Sequence, residues 1–469
     1  MTGSTRMRDM VFWAATALLG VSLVAVLSFS RINADTLPVV VVGALAAVLA
    51  VICLVSSYLR LLVFVGGALA VMQADSSGIG ALKPVYFAVI VLAAVAGMLR
   101  VHRLPKEIQR AYRPMFVASG VLFGLVAIEA VGSVFGGVDV LRVLRDATTY
   151  MMIVAAPWIA SDAASTGGAM RARITAAAFC LVAAVGFAVY WLSARGVGTL
   201  SIDRLGMFSF VLAGCGFSLG IAYGLVRRNV LWLGMGLLSL VCVLVTGTRT
   251  GLLVLVALVA MVGSKDARKI PPLRLIGGLA ALGVILAYVL PNAVTSLTSA
   301  DFFVRRTSSL LSIFSEGISS DQSGVLRLRA YQTTLDVWNA HPLFGVGFGY
   351  QFPNPSPLQP PSDFQLDSPT LVLAKFGIFG TLVLAAAVLL IAIGIARYHI
   401  PTGIRSEAQT AGLGLVILCI ALAALALPLE DKGFALGLTL ILYLLGVEAR
   451  TASSSGAIPV PHTLGPFRE

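Results

Sequence analysis

Apolar runs close to the length of a bilayer crossing follow one another along this chain. They fall near 10–29, 37–59, 61–73, 83–99, 115–136, 147–160, 174–193 and 205–225, with short loops between them. A run of about 20 apolar residues crosses a membrane as a helix, because only a helix or a closed barrel satisfies its own backbone polar groups in lipid. Repeated this often, the pattern leaves one fold class, an all-α polytopic membrane protein. Composition agrees: 58% of the 469 residues are hydrophobic and 12% charged, with a mean hydropathy of +0.95, outside the range of soluble globular chains. The first run has no small-residue cleavage site before the next, so it is expected to be a retained helix and not a signal peptide.

The net charge of +12 resides mostly in short loops between the runs. Arg6 and Arg8, Arg60, the group Arg100, Arg103, Lys106, Arg110 and Arg113, then Arg171 with Arg173, and Arg227 with Arg228 share one side if every run crosses. Loops rich in Lys and Arg stay in the cytoplasm, so the charge reports orientation and implies no nucleic-acid partner. The stretch Val230 to Gly263 is apolar except for Thr246, Gly247, Thr248, Arg249, Thr250 and Gly251. Read as one span, it would put Lys265, Arg268, Lys269 and Arg274 outside. Two short crossings, with Arg249 at the outer turn, keep them inside.

A further span at about 275–290 then leads outward, and spans at 370–396, 411–427 and 433–447 follow, with Arg397 and Arg405 inside and Glu430, Asp431 and Lys432 outside, where Glu430 and Asp431 read as a solvated turn in preference to an alternative base. The expectation is about 12–14 transmembrane helices with both termini cytoplasmic. Residues 1–290 form an N-terminal bundle with the Arg249 hairpin, 291–368 one large extracytoplasmic loop folded as a small helical cap, 369–447 the last helices, and 448–469 a disordered cytoplasmic tail. Cys53, Cys180, Cys215, Cys242 and Cys419 lie inside apolar runs without paired spacing, and the four histidines are scattered. Neither pattern makes a disulfide framework or a metal centre.

The chemistry is expected in the cap. Leu328, Tyr331, Leu335 and Trp338 recur at helical spacing, which predicts a helix over about 325–340 with one apolar stripe, stopped by Pro342. Arg327 falls outside that stripe, one turn before Tyr331, where its planar fork suits a phosphate. Gly345, Gly347 and Gly349 allow close backbone approach. They follow a helix and precede a proline-rich stretch from Pro353 to Pro361, so the strand-loop-helix context of a dinucleotide site is missing.

Three pieces of this sequence together resemble the O-antigen ligase and O-antigen polymerase family of bacterial envelope enzymes. Thr246 to Leu253 is similar to its threonine-glycine-serine-arginine-glycine turn. Arg327 with Tyr331 resembles an arginine placed four residues before an aromatic, and His341 to Gly349 resembles its proline-leucine-x-glycine-x-glycine-x-glycine element. Phe376, Gly377, Ile378, Phe379 and Gly380 match its closing glycine pair, and the resemblance covers about 230–385. The ligases usually carry a His-Asn pair shortly before those glycines; here stand Leu366, Asp367, Ser368, Pro369 and Thr370.

The resemblance implies transfer of a glycan from a polyprenyl diphosphate carrier to a hydroxyl on a glycan or lipid acceptor. The reaction would take place at the outer face of the cytoplasmic membrane, without a cofactor and with arginines on the diphosphate. Arg249 and Arg327 are the candidate diphosphate ligands, with an interfacial lipid anchor as the other role open to Arg249. Asp367 either activates the acceptor hydroxyl or caps the following helix. Arg142 and Arg145 either line the diphosphate pocket or pair with Asp139 and Asp146, and Glu129 is a carboxylate within a span. Arg204, Arg305, Arg329, Tyr331, His341, Gly345 and Gly347 complete the candidate substrate-binding set. The missing histidine favours a repeat-unit polymerase, with a ligase as the alternative. A transporter or flippase of lipid-linked sugars is the rival class, which the lack of paired halves and of a polar path through the inner half disfavours.

Overall fold

The computed structural model describes residues 48, 51–71, 82–193, 209–227, 229–245, 322–353, 368–397, 406–423 and 428–454. Its helices are α1 Ser57–Val71, α2 Leu82–Arg100, α3 Lys106–Phe135, α4 Val140–Thr166, α5 Ala169–Ser193, α6 Phe210–Arg227, α7 Val230–Val245, α8 Gln322–Ala340, α9 Leu371–Ala396, α10 Glu407–Ala423 and α11 Lys432–Ser454. Among the described residues, five segments are long and apolar enough to cross a membrane: Tyr86–Arg103, Ile108–Phe135, Ala169–Gly186, Leu371–Ala396 and Lys432–Thr451. Shorter apolar helices run over Ser57–Leu69, Val211–Gly224, Val230–Leu240 and Glu407–Ile420. The fold is therefore an all-α polytopic membrane bundle. The crossing at 10–29, the second half of the 230–263 hairpin and the span at 275–290 lie outside the described residues.

Helix α4 and its neighbour α11 form the inside of the bundle, and the reason is side-chain size. Lipid tails give helices no hydrophobic reason to associate, so close contact rests on small residues that let backbones approach. Helix α4 supplies Ala147, Ala155, Ala156, Ala160, Ala163 and Ala164, all buried. Gly446 of α11 faces this helix so closely that a Cβ there would lie 2.5 Å from Ala164 Cβ and 2.7 Å from the Tyr112 hydroxyl. Helix α3 joins from another side, where Phe116 stacks on Trp158 at 4.3 Å. The Trp158 indole N–H donates to Ser119 Oγ at 2.6 Å, and Ser119 donates on to the Val154 carbonyl at 2.6 Å. Large apolar side chains such as Leu99, Phe123, Ile128, Phe135, Leu382 and Ile420 point outward, as a lipid-facing surface requires.

The two ends of the bundle differ in chemistry. At one end Arg60 pairs with Asp162, Arg100 approaches the same carboxylate at 4.0 Å, and Arg450 donates to the carbonyls of Ser165 and Gly167. Arg171 lies over Tyr58 and Arg173 over Tyr223, so loop arginines expected to share one side do gather together. At the other end α3 finishes and α4, α9 and α11 begin. Helix α6 also starts there, because Ser209 donates to Asp431 at 2.7 Å.

Helices α6 and α7 run antiparallel through two glycine contacts. A Cβ on Gly224 would meet Leu233 N at 2.8 Å, and one on Gly220 would meet Gly236 Cα at 2.3 Å. This register carries the last turn of α7 to the level where α6 begins.

Candidate functional site

Helix α8 lies across this second end. Its buried face is Ala330 and Thr334, with Arg327, Tyr331, Val337 and Trp338 partly buried beside them, while Leu328 is 42% exposed. The expected stripe of Leu328, Tyr331, Leu335 and Trp338 is thus rotated, and Arg327 falls on the inward face. The reason is polar. Thr334 Oγ1 is 2.9 Å from Ser368 Oγ and 2.5 Å from Thr370 Oγ1, a hydroxyl cluster that turns a threonine inward where a hydrophobic pattern would turn it out. Below it, Val337 and Trp338 pack on Phe352, Leu371 and Ala374. Arg329 on the opposite face is exposed.

Helix α8 ends at His341. The backbone N–H of His341 bonds to Val337 and Trp338 carbonyls, its own carbonyl accepts from Gly345 N at 3.0 Å, and its side chain is exposed. The chain then drops into a break in α9. Gly377 has φ +59 and ψ −167 inside that helix, which frees carbonyls before the break and amides after it. The turn after α8 satisfies them. Val346 N donates to Ala374 O at 3.0 Å and Gly347 N to Lys375 O at 2.9 Å, while Ile378 N donates to Pro342 O at 2.9 Å and Phe379 N to Leu343 O at 3.2 Å. The contact has no room for side chains. A Cβ on Gly345 would lie 2.3 Å from Lys375 O, and one on Gly377 would lie 2.3 Å from Leu343 O. The two glycine motifs are halves of one joint.

Charges hold the joint from beneath. Lys375 Nζ sits 2.6 Å from Asp146 Oδ1 and 2.6 Å from Glu430 Oε1, with side-chain exposures of 0%, 4% and 6% respectively. The other Asp146 oxygen accepts from Gly349 N at 3.0 Å, and Tyr150 donates to Glu430 at 3.3 Å. Tyr150, Phe348 and Phe376 close the space around this network with ring centroids 5.2 to 5.6 Å apart. Burial pushes the Glu430 carboxyl up from its ordinary range, opposed by the Lys375 ammonium and reinforced by Asp146. The solvated turn expected at Glu430 and Asp431 is corrected here: burial is possible because Lys375 meets one carboxylate and Ser209, Val211 and Gly433 donate to the other. Both Asp146 oxygens are engaged by Lys375 and Gly349, and Asp139 caps α4 by accepting from Leu141 N.

Gly347 and Gly349 face different helices. Gly349 lies against Val138 and Arg142 at the start of α4, where a Cβ would come within 3.2 Å of Arg142 Cβ. Arg142 and Arg145 are both exposed there. Gly347 lies against α3, where a Cβ would be 2.3 Å from Ser133 Oγ and 3.6 Å from Glu129 Oε2. Of the sequence candidates, Gly345 and Gly347 lie in the joint, Arg142 flanks the neighbouring Gly349, and Arg327 and Tyr331 lie on the inward face of the overlying helix. Arg204, Arg249, Arg305 and Asp367 lie outside the described residues. Lys375 was not among the candidates, although a lone lysine in an apolar run is a functional signal in its own right.

These features define a polytopic helical membrane protein with a helical cap locked onto one end through paired glycine motifs. Residues 233–385, from α7 through the joint to the middle of α9, match the family model described as O-antigen ligase. No curated protein matches the chain.

Proposed function

We propose that the protein transfers a glycan from a polyprenyl diphosphate carrier to an acceptor hydroxyl at the extracytoplasmic face of the cytoplasmic membrane, most fittingly as a repeat-unit polymerase. The carrying observation is the joint, which fixes α8 with Arg327 over the end of the bundle where Arg142 flanks Gly349. Helices α4, α6, α9 and α11 all begin at this end, and helix N-termini favour a bound anion. The register of α6 and α7 also supports the placement of Arg249, since Val245 ends at the level of the α6 start and Arg249 follows four residues later.

In this reading Arg249 and Arg327 hold the diphosphate, with Arg142, Arg145, Arg204 and Arg305 contributing to the basic surroundings. Attack by the acceptor oxygen on the anomeric carbon forms the new glycosidic bond and breaks the bond from that carbon to the diphosphate oxygen. The electron pair leaves on the diphosphate, where fixed guanidinium groups stabilise the developing charge. A carboxylate takes the acceptor proton, and Asp367, which directly precedes Ser368 in the sequence, is the candidate for it.

Lipid-linked glycans extracted from a deletion strain test the proposal. Single repeat units accumulate if the protein is a polymerase, and long lipid-linked chains if it is a ligase. An unchanged lipid-linked pool would sink the transferase reading.

A further inference from the structure

One face of α3 is bare of neighbours along half its length. Lys106, Arg110 and Arg113 stand at helical spacing on that face, and Val117, Gly120 and Gly124 continue the same line. The three cations, Val117 and Gly120 are exposed, and Gly124 is half-buried. A Cβ on Gly120 or Gly124 would meet nothing within 4 Å, so the line is an open track along the outside of the bundle. Arg397 joins its cationic end from α9. Gly394 packs on Pro114 and Met115, which brings the exposed Arg397, one turn further on, beside the first turns of α3.

These cations differ from others at the same end of the bundle. Arg60 and Arg100 share Asp162, Arg450 donates to carbonyls, and Arg171 and Arg173 lie over tyrosine rings. Among the described residues, Lys106, Arg110, Arg113 and Arg397 make no ion pair. Glu107 is the sole acid in the sequence from 101 to 128, so cations outnumber acids there. Like charges one turn apart repel, and Lys106, Arg110 and Arg113 also stand toward the positive end of their helix dipole. An anion at this place relieves both.

The track has the dimensions of a lipid. Helix α3 has 30 residues and is about 45 Å long, against a hydrocarbon core of about 30 Å, so its first turns stand among the headgroups. From Arg113 to Gly124 it descends about 16 Å, close to the depth of one leaflet. Ile128, 72% exposed, then ends the track. Two glycines four apart also suit a second helix. Charge opposes a second copy of this chain, because a two-fold axis along the membrane normal would press Lys106, Arg110 and Arg113 against their own equivalents.

We propose that this face of α3 binds one anionic phospholipid of the cytoplasmic leaflet, with its phosphate on Lys106, Arg110, Arg113 and Arg397 and an acyl chain along Val117, Gly120 and Gly124. The inference stands apart from the transferase reading. By drawing Arg397 toward α3, the lipid clamps the α3 and α9 pair, whose far ends meet the joint at Ser133 and Gly377.

The test titrates the full-length protein in detergent with dioleoylphosphatidylglycerol or dioleoylphosphatidylcholine. Native mass spectrometry counts bound lipids and subunits, and a thermal melt reads stability. The wild type should retain phosphatidylglycerol and melt later with it, and phosphatidylcholine should do neither. Each cation near a membrane surface contributes about fivefold to anionic lipid binding, so replacing Lys106, Arg110 and Arg113 together with Gln should weaken retention about 100-fold. Gly124→Leu keeps every charge and enters open space, so it should weaken retention while the lipid-free melt stays that of the wild type.

Equal retention of the two lipids overturns the proposal, as does wild-type retention by the triple Gln variant. Wild-type retention by Gly124→Leu also overturns it, since surface charge alone would then explain binding. Stabilisation by glycerol phosphate equal to that by the lipid would assign the cations to a free phosphate. A dimer that Gly124→Leu dissolves would assign the track to a second copy, and either of these results defeats the lipid site.

Discussion

Lys375 is the residue on which the site depends, and its neighbours decide what its loss should cost. It neutralises one of two buried carboxylates 2.6 Å away on either side, and removing it leaves both Asp146 and Glu430 without their cation. Breaking a buried ion pair by deleting one partner costs about 3–5 kcal/mol, whereas an uncharged set of similar shape is often tolerated. Lys375→Met should therefore lower the thermal unfolding midpoint severely, and adding Asp146→Asn with Glu430→Gln should recover much of the loss. If the triple variant unfolds no later than the single one, the network is not an electrostatic unit. The sequence shows Lys375 plainly as a charge in an apolar run. Its partners, however, are 229 and 55 residues away, and no spacing rule connects them. For the same reason Glu430 reads as a solvated turn until α4 and α9 are seen to close around it.

At the scale of elements the joint between the α8 turn and the break in α9 was half legible. Glycines at alternate positions announce backbone that other residues avoid, and Gly345, Gly347 and Gly349 do have φ of +70, +76 and +75. That the break at Gly377 is where they dock follows only from the hydrogen bonds. The buried face of α8 was misread because Thr334 pairs with Ser368 and Thr370, a polar contact invisible to hydrophobic periodicity.

Two glycines separate conformation from crowding. Gly137 has φ +84 with nothing near its missing Cβ, while Gly345 has φ +70 and a carbonyl oxygen 2.3 Å from that position. Alanine at Gly137 should cost about 1–2 kcal/mol, the left-handed backbone penalty alone. Alanine at Gly345 should cost clearly more and depress transfer, because the cap must leave α9. Equal midpoints for the two variants in a thermal melt would show that the joint gives way without penalty.

At the scale of the whole molecule, crossings and charge alternation were the most legible features, since both follow from the bilayer itself. They also make the remaining placement testable. Cysteines replacing Ser264 or Lys265 should resist impermeant maleimide in intact cells, and one replacing Ser320 should react; labelling at Lys265 from outside would undo the two-crossing reading of 230–263. If that topology holds, Arg249 arrives from the bundle and Arg327 from the cap, two separate parts of the fold meeting on one leaving group. Replacing either with Lys keeps the charge and loses the planar fork, so each variant should transfer well below wild type at normal expression. Groups that act as a unit on one leaving group are strongly non-additive. The double alanine variant should then be scarcely worse than the worse single variant, with rates read from transfer of extracted lipid-linked glycan. Strictly multiplicative losses would assign the two arginines to separate steps, one to the donor and one to the acceptor. Full activity in both lysine variants would leave the bidentate role without support and return Arg249 to the part of an interfacial anchor.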